Sequence, residues 1–255
     1  MLQVVQLQLC EQERAFSVRF YWGRNGKPRK LHRLGVSVEK RGDQRMGIPV
    51  LILGESGSGK SASMRNFSPD HLGIINVSGK PLPFRGNFKM AMTDDYQKVI
   101  QVLLGSKVKS IVIDDCQYLM VNEFMRNAKV NGYQKFTDIA LNFWTLVQTV
   151  IYSLPSDVIV YFLGHVERDG DGREKLKTVG KLTDEKVTIE GYFTIVLKTL
   201  VQDQHYYFTT QTNGMDTVKS PMGMFEQQQI DNDLKMVDDT IRAYYNLTES
   251  QGEIS

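Results

Sequence analysis

The chain has 255 residues, of which 41% are apolar and 24% charged; this is the size of one large domain and excludes a disordered or fibrous chain. Its 31 Lys/Arg against 29 Asp/Glu leave a net charge of +2, too little for bulk charge alone to grip nucleic acid. The longest strongly apolar runs, 48–53 and 158–163, are far short of the ~20 residues that span a bilayer, and two cysteines build neither a disulfide framework nor a zinc site, so the expectation is a cytoplasmic protein with no membrane partner.

Residues 1–45 hold ten Lys/Arg against four Asp/Glu, a net of +6. Two strand-like runs, 15–21 and 34–38, flank an Asn25-Gly26 turn, and a hairpin of that size is marginal alone. Met46 then leads directly into Gly-Ile-Pro-Val-Leu-Ile-Leu. The working domain is therefore expected to start at Met46, with 1–45 as a basic extension or the product of an upstream start.

From there strand and helix patterns alternate. Residues 49–53 form an apolar run that stops at a glycine cluster, 61–66 open a helix, and 74–77 read as the next strand. A helical stripe runs through 93–104, and Ser110–Asp114 is another buried strand. Phe136, Ile139, Ala140, Phe143, Trp144, Val147 and Ile151 recur at helical spacing, and 157–163 is a fourth apolar strand. Nearly continuous apolar strands belong in parallel sheets covered on both faces, so this order predicts a three-layer α/β fold. Residues 167–190 are Gly-rich and charged, which predicts a mobile loop or an extended hairpin. Residues 192–199 and 205–211 read as late antiparallel strands, and 232–245 as a last helix with its stripe in Leu234, Val237, Ile241 and Tyr244. The stretch 226–255 carries seven acids against two basic residues and is expected to be an acidic helix and tail after a domain covering 46–225.

The string Gly54-Glu55-Ser56-Gly57-Ser58-Gly59-Lys60-Ser61 satisfies G-x-x-x-x-G-K-[ST] between a predicted strand and a predicted helix. Glycines let the backbone turn successive N–H groups toward phosphate oxygens, a helix opening at Lys60 adds its dipole, Lys60 reaches the β- and γ-phosphates, and the Ser61 hydroxyl meets Mg²⁺. Gly54, Glu55, Ser56, Gly57, Ser58, Gly59, Lys60, Ser61 and Ala62 are the expected nucleotide-binding residues, with ATP and Mg²⁺ as cofactors. The bland alternative is a Gly-Ser loop that happens to hold a lysine.

An apolar strand ending in Asp114-Asp115 carries carboxylates to the same sheet edge. Asp114 is the expected Mg²⁺ partner of Ser61, and Asp115 the residue that polarises the attacking water, although its side chain is short for that role. The pair could also simply cap the following turn. The fourth strand ends in Leu163-Gly164-His165, where His165 is either a γ-phosphate sensor or a structural histidine. Nothing marks Cys116 as a nucleophile.

With these residues stated, the sequence resembles the phage P-loop ATP-binding proteins with a RecA-like core, a group that includes the ATPase-type single-strand annealing proteins. The likeness covers roughly 46–245. It rests on the phosphate loop, the Asp114-Asp115 strand, Gly79-Lys80-Pro81-Leu82-Pro83-Phe84, Leu163-Gly164-His165, Asn213-Gly214, Val218-Lys219-Ser220-Pro221 and Met224-Phe225. It implies a three-layer RecA-like P-loop NTPase with a mainly parallel sheet and late antiparallel strands. It further implies an ATPase acting on single-stranded DNA in recombination or replication, assembled as a ring or filament, with phage recombination or single-strand-binding proteins as further partners. A basic residue from a neighbouring subunit would complete each site; Lys219 is the first candidate, Lys177 and Lys181 the next, and each is otherwise a solvated lysine.

Single-strand binders combine a positive groove with aromatic stacking platforms. Residues 80–135 hold nine Lys/Arg against five acids, and Phe84, Arg85, Phe88 and Lys89 interleave the two types, unless the rings pack inward. Residues 167–190 occupy the position of a DNA-contacting loop in RecA-like proteins but sum to −1. An alternative reading is a nucleotide-gated oligomeric binding module, or a loader ATPase, with slow hydrolysis. A small-molecule kinase fits less well, because no arginine-rich lid is visible.

Overall fold

The computed structural model describes residues 46–180 and 187–247. The hairpin expected within 1–45, and Lys181 with its neighbours, lie outside the described residues. Among the described residues, nine strands and four α-helices run in the order β1 (Ile48–Gly54), β2 (Leu72–Asn76), β3 (Lys89–Met92), α1 (Tyr96–Gly105), β4 (Ser110–Asp114), α2 (Gln117–Arg126), α3 (Gln134–Ser153), β5 (Ile159–Arg168), β6 (Glu174–Leu176), β7 (Ile195–Gln202), β8 (His205–Thr209), β9 (Gln229–Asp231) and α4 (Leu234–Tyr245).

The strands form a sheet in the order β3-β2-β4-β5-β1-β7-β8-β9, with β6 turned back on β5. The six strands from β3 to β7 are parallel, while β8 and β9 are antiparallel additions at one edge. This is the α/β class the alternation of elements predicts. The second-to-last long strand differs: β7 is antiparallel to β8, as expected, but parallel to β1, so it belongs to the central sheet.

Alternation along β1 shows why the sheet needs cover on both sides. Val50 and Ile52 face one core with Met64, Phe67, Leu234, Val237 and Ile241; Leu51 and Leu53 face the other with Val99, Leu103, Ile139, Phe143 and Val147. The helices α1 and α3 thus cover one face and α4 the other, giving three layers. The last strand and helix are not an appendage to this body, since β9 pairs with β8 and α4 packs into the second core. Asp233 caps α4 by accepting from the Lys235 and Met236 N–H groups, so the helix starts two residues later than its apolar pattern suggests. Tyr244, expected on the buried stripe, is 40% exposed.

The helix after the phosphate-loop string is the largest local departure. It is a 3-10 segment of six residues, Ser61–Asn66, and Phe67 is already extended. Ser68-Pro69 follows at once, and a residue before proline is pushed out of helical backbone. So short a segment adds little dipole, and the expected contribution of a helix N-terminus to phosphate binding is correspondingly reduced.

One buried polar cluster ties α4 to the sheet. Asp238, 3% exposed, accepts from the Ser110 hydroxyl at 2.7 Å, the Tyr161 hydroxyl at 2.8 Å and the Arg242 Nε at 2.7 Å. Arg242 also donates to the Asp157 carbonyl at 3.0 Å and the Lys109 carbonyl at 3.1 Å. Asp238→Ala removes the acceptor and strands these buried donors, so it is expected to destabilise the fold by about 3–5 kcal/mol. A stability from urea unfolding that falls by less than about 1 kcal/mol would show that α4 is held by its apolar face alone.

Candidate functional site

Parallel pairing brings the C-terminal ends of β1, β2, β4, β5 and β7 to one edge. Gly54 is opposite His165, and Asn76 is opposite Asp114. The strand order reverses about β1: the chain leaves it toward β2 on the β5 side and returns as β7 on the other. Crevices at such a switch point are where open α/β sheets bind ligands. A cleft of about 320 Å³ opens there, lined by residues 54–58 with Val166, Glu174 and residues 198–201.

The loop at the end of β1 is built by close contact. A Cβ on Gly54 would lie 1.8 Å from Thr199 Oγ1, so no side chain fits. The Ser58 and Thr199 hydroxyls are 2.6 Å apart, and Thr199 also donates to the Leu53 carbonyl at 3.2 Å, fixing the loop to β7. Gly59 has φ +94°, a backbone state that L side chains avoid. Among the described residues, the backbone N–H groups of Ser56, Gly57, Gly59 and Lys60 have no protein acceptor. Glu55, Ser56 and Gly57 are exposed, while Ala62 is half-buried at the start of the 3-10 segment.

Lys60 is 6% exposed, and its amine donates to the carbonyls of Gly54 at 2.9 Å and Glu55 at 2.7 Å. Burial pulls its pKa below the ordinary lysine value, and the nearby Asp115 and Asp114 carboxylates oppose that. The Ser61 hydroxyl donates to Asp114 Oδ1 at 2.8 Å. Two residues 53 positions apart, expected to share a metal, are thus in contact. No group of three or more His, Cys, Asp or Glu that could cage a metal occurs among the described residues. One hydroxyl and one carboxylate fit Mg²⁺, which keeps waters and takes phosphate oxygens to complete its octahedron.

The two carboxylates titrate in opposite directions. Burial pushes Asp114 up to about 6, with the Asp115 charge adding to the shift and Ser61 and Lys60 working against it. Burial also opposes ionisation of Asp115, yet hydrogen bonds from His165 and Ser78 and the Lys80 cation hold that carboxyl down at about 2. His165 Nε2 stands 3.2 Å from Asp115 Oδ1, and Lys80 Nζ 3.5 Å from Oδ2. Asp115 has φ +60°, an unusual state for a residue other than glycine, which turns the chain sharply from β4 into α2. Asn76 shapes the opposing loop by donating to the Lys80 carbonyl at 2.7 Å and accepting from the Gly79 N–H at 2.8 Å. The Lys80 amine also lies 5.2 Å from the Tyr118 ring centroid. Lys80 was not among the expected site residues, although it stands in the segment 79–84 on which the resemblance rests, four residues past the end of β2.

The remaining expectations divide. Lys219 is exposed, with its backbone bridged to Val196 on β7. Lys177 is also exposed, and its N–H donates to the His165 carbonyl at 2.8 Å. The charged stretch after β5 is in part the hairpin expected, because Val166, Glu167 and Arg168 pair with Leu176, Lys175 and Glu174. Sequence reasoning missed Lys198, which lines the cleft and is held by Glu174 at 2.9 Å and Asp216 at 2.8 Å. Phe88 is buried and Phe84 packs edge-on against it, so those rings fill the core and offer no stacking platform. Cys116 is fully buried, which raises its thiol pKa far above the ordinary value and removes it as a nucleophile. No helix among the described residues is long and apolar enough to cross a membrane.

No family model matches the chain, and no curated protein is significantly similar to it.

Proposed function

We propose that the chain is a Mg²⁺-dependent ATP-binding and hydrolysing P-loop protein of RecA-like fold that handles single-stranded DNA in recombination or replication of phage type. The observation that carries the nucleotide reading is the 2.8 Å contact between Ser61, at the end of a glycine loop with unsatisfied N–H groups, and Asp114, at the end of a separate parallel strand. The loop N–H groups and Lys60 would take the β- and γ-phosphate oxygens. Ser61 and Asp114 would hold Mg²⁺, which neutralises charge on the transferring phosphoryl group. Asp115 and His165 flank the position where water would meet the γ-phosphate, and Asp115 orients rather than deprotonates that water.

The DNA part of the reading rests on the resemblance and on the loop between α2 and α3. Tyr133 is 89% exposed there, with Lys129 exposed on one side and, on the other, Lys135 half-buried with its amine over the Phe124 and Phe136 rings, an aromatic and basic mix of the kind single-strand binders use. Lys219, exposed beside β7, is the residue we assign to completing the site of a neighbouring subunit in a ring or filament.

A second reading has its own support. A carboxyl held at about 2 is far from the pKa of an effective general base at neutral pH. This favours slow hydrolysis, with ATP setting the assembly state of a binding module or loader.

The test is phosphate release from Mg-ATP, with and without an oligonucleotide, beside fluorescence anisotropy of a labelled single strand at rising salt. Turnover is expected, with DNA binding that weakens steeply as salt is added and falls in Tyr133→Ala. Absence of both ATP binding and turnover overturns the nucleotide reading. Anisotropy unchanged by the protein, with or without ATP, overturns the DNA reading. ATP-dependent sedimentation without turnover selects the gated module.

A further inference from the structure

Asn232 joins β9 to α4 and is 2% exposed, yet among the described residues neither Oδ1 nor Nδ2 of its carboxamide has a hydrogen-bond partner. Buried amides are almost always paired, so one with both ends unused points to a ligand. Its backbone is fixed on two sides: the N–H donates to the Tyr206 carbonyl at 3.1 Å, and the carbonyl accepts from Arg65 Nη1 at 2.7 Å. The carboxamide lies against the phosphate loop. A Cβ built on Gly59 would be 3.3 Å from Asn232 Oδ1, 3.4 Å from Nδ2 and 2.8 Å from Cδ1 of the Tyr206 ring. That ring is 48% exposed at the start of β8, just after the turn in which Asp203 and Gln204 both take positive φ. A half-exposed aromatic face and a buried group with donor and acceptor on one edge therefore meet beside Gly59, next to Lys60 and Ser61.

We propose that Asn232 and Tyr206 form the base subsite of the nucleotide, and that the base is adenine; this rests on the phosphate reading above. A carboxamide donates to N7 and accepts from the N6 amino group of adenine at once. On the same edge guanine offers two acceptors, N7 and O6, which would leave the amide oxygen unpaired, and pyrimidines lack the edge altogether. The tyrosine ring supplies a face for stacking, which any base can use and which adds affinity without selecting. Asn232 thus selects the base and Tyr206 retains it.

The experiment is calorimetric titration of the full chain with Mg-ATP, Mg-GTP and Mg-tripolyphosphate, for the wild type, Tyr206→Ala and Asn232→Ala. The exposed ring can be removed without opening the core, so Tyr206→Ala keeps the test informative should Asn232→Ala fail to fold. The wild type is expected to prefer ATP over GTP. Each variant is expected to bind ATP about tenfold more weakly with tripolyphosphate affinity unchanged, and Asn232→Ala to lose the preference over GTP. Unchanged ATP affinity in Tyr206→Ala, an equal loss for tripolyphosphate, or no ATP preference in the wild type overturns the base subsite alone. A wild type that binds neither ATP nor tripolyphosphate overturns the phosphate reading beneath it.

Discussion

Replacing Lys60 with alanine is expected to lower ATP turnover by about 100- to 1,000-fold, the loss that follows removal of a preorganised charge from a phosphoryl or oxyanion site. The expectation follows from where the amine sits. It is buried under the loop 54–59, 2.7–2.9 Å from the carbonyls of Glu55 and Gly54, so a phosphate bound there would meet a cation already stripped of much of its water. No nearby residue can replace it. Lys198 is the next cation along the cleft, but Glu174 and Asp216 already hold its amine. Lys80 is committed to Asp115 and the Tyr118 ring. Phosphate release measured beside a circular-dichroism melt separates lost chemistry from lost fold. A well-folded variant that turns over ATP normally would remove Lys60, and with it the whole loop, from the active site.

Much of this architecture was legible in the chain because its strands are apolar and its glycine loop has fixed spacing. β4 runs over the expected residues, and α3 carries its stripe as read, since Ile139, Phe143 and Val147 are all buried. The elements that escaped notice are those with little apolar pattern. β3, Lys-Met-Ala-Met, is a four-residue edge strand with two methionines exposed, and it exists only because β2 offers it a partner. α2 begins directly after the left-handed turn at Asp115; the Asp114-Asp115 pair signals a turn there, but nothing in the apolar pattern marks the helix behind it. β9 is three residues long and is held by β8. Loop spacing marked Lys60 and Ser61 as candidates and an apolar strand end marked Asp114, and Ser61 and Asp114 are in contact, but the network that controls Asp115 was not legible. Ser78 and Lys80 follow the end of β2 while His165 lies within β5, and only the β2-β4-β5 order places them around one carboxylate. Asn232 was invisible for the same reason. A polar residue before a helix cap is ordinary in sequence and becomes notable only when it is buried, unpaired and beside Gly59.

Asp114→Asn is expected to make the protein more stable and less active at the same time. The folded-state carboxyl is pushed up to about 6, above the ordinary carboxylate range, so the native state binds its proton more tightly than the unfolded chain does. Stability linked to this group is therefore complete below about pH 4 and is lost as pH rises toward 6; above that, the buried charge costs roughly 3 kcal/mol. Asparagine carries no charge to bury, and its Oδ1 can still accept from Ser61. The variant should thus unfold at higher urea than the wild type at pH 7, and at nearly the same urea at pH 4. Asp115 does not confuse the comparison, because its carboxyl is held at about 2: the stability it contributes is present above its ordinary value and is lost only as pH falls from about 4 toward 2. Under the proposed function activity should move the other way, since a neutral amide would be a poor substitute for a carboxylate holding Mg²⁺. A gain in stability of equal size at pH 4 and pH 7 would mean that charge burial is not the cause. Full Mg²⁺-dependent turnover in the variant would mean that the strain of burying Asp114 serves some purpose other than the metal.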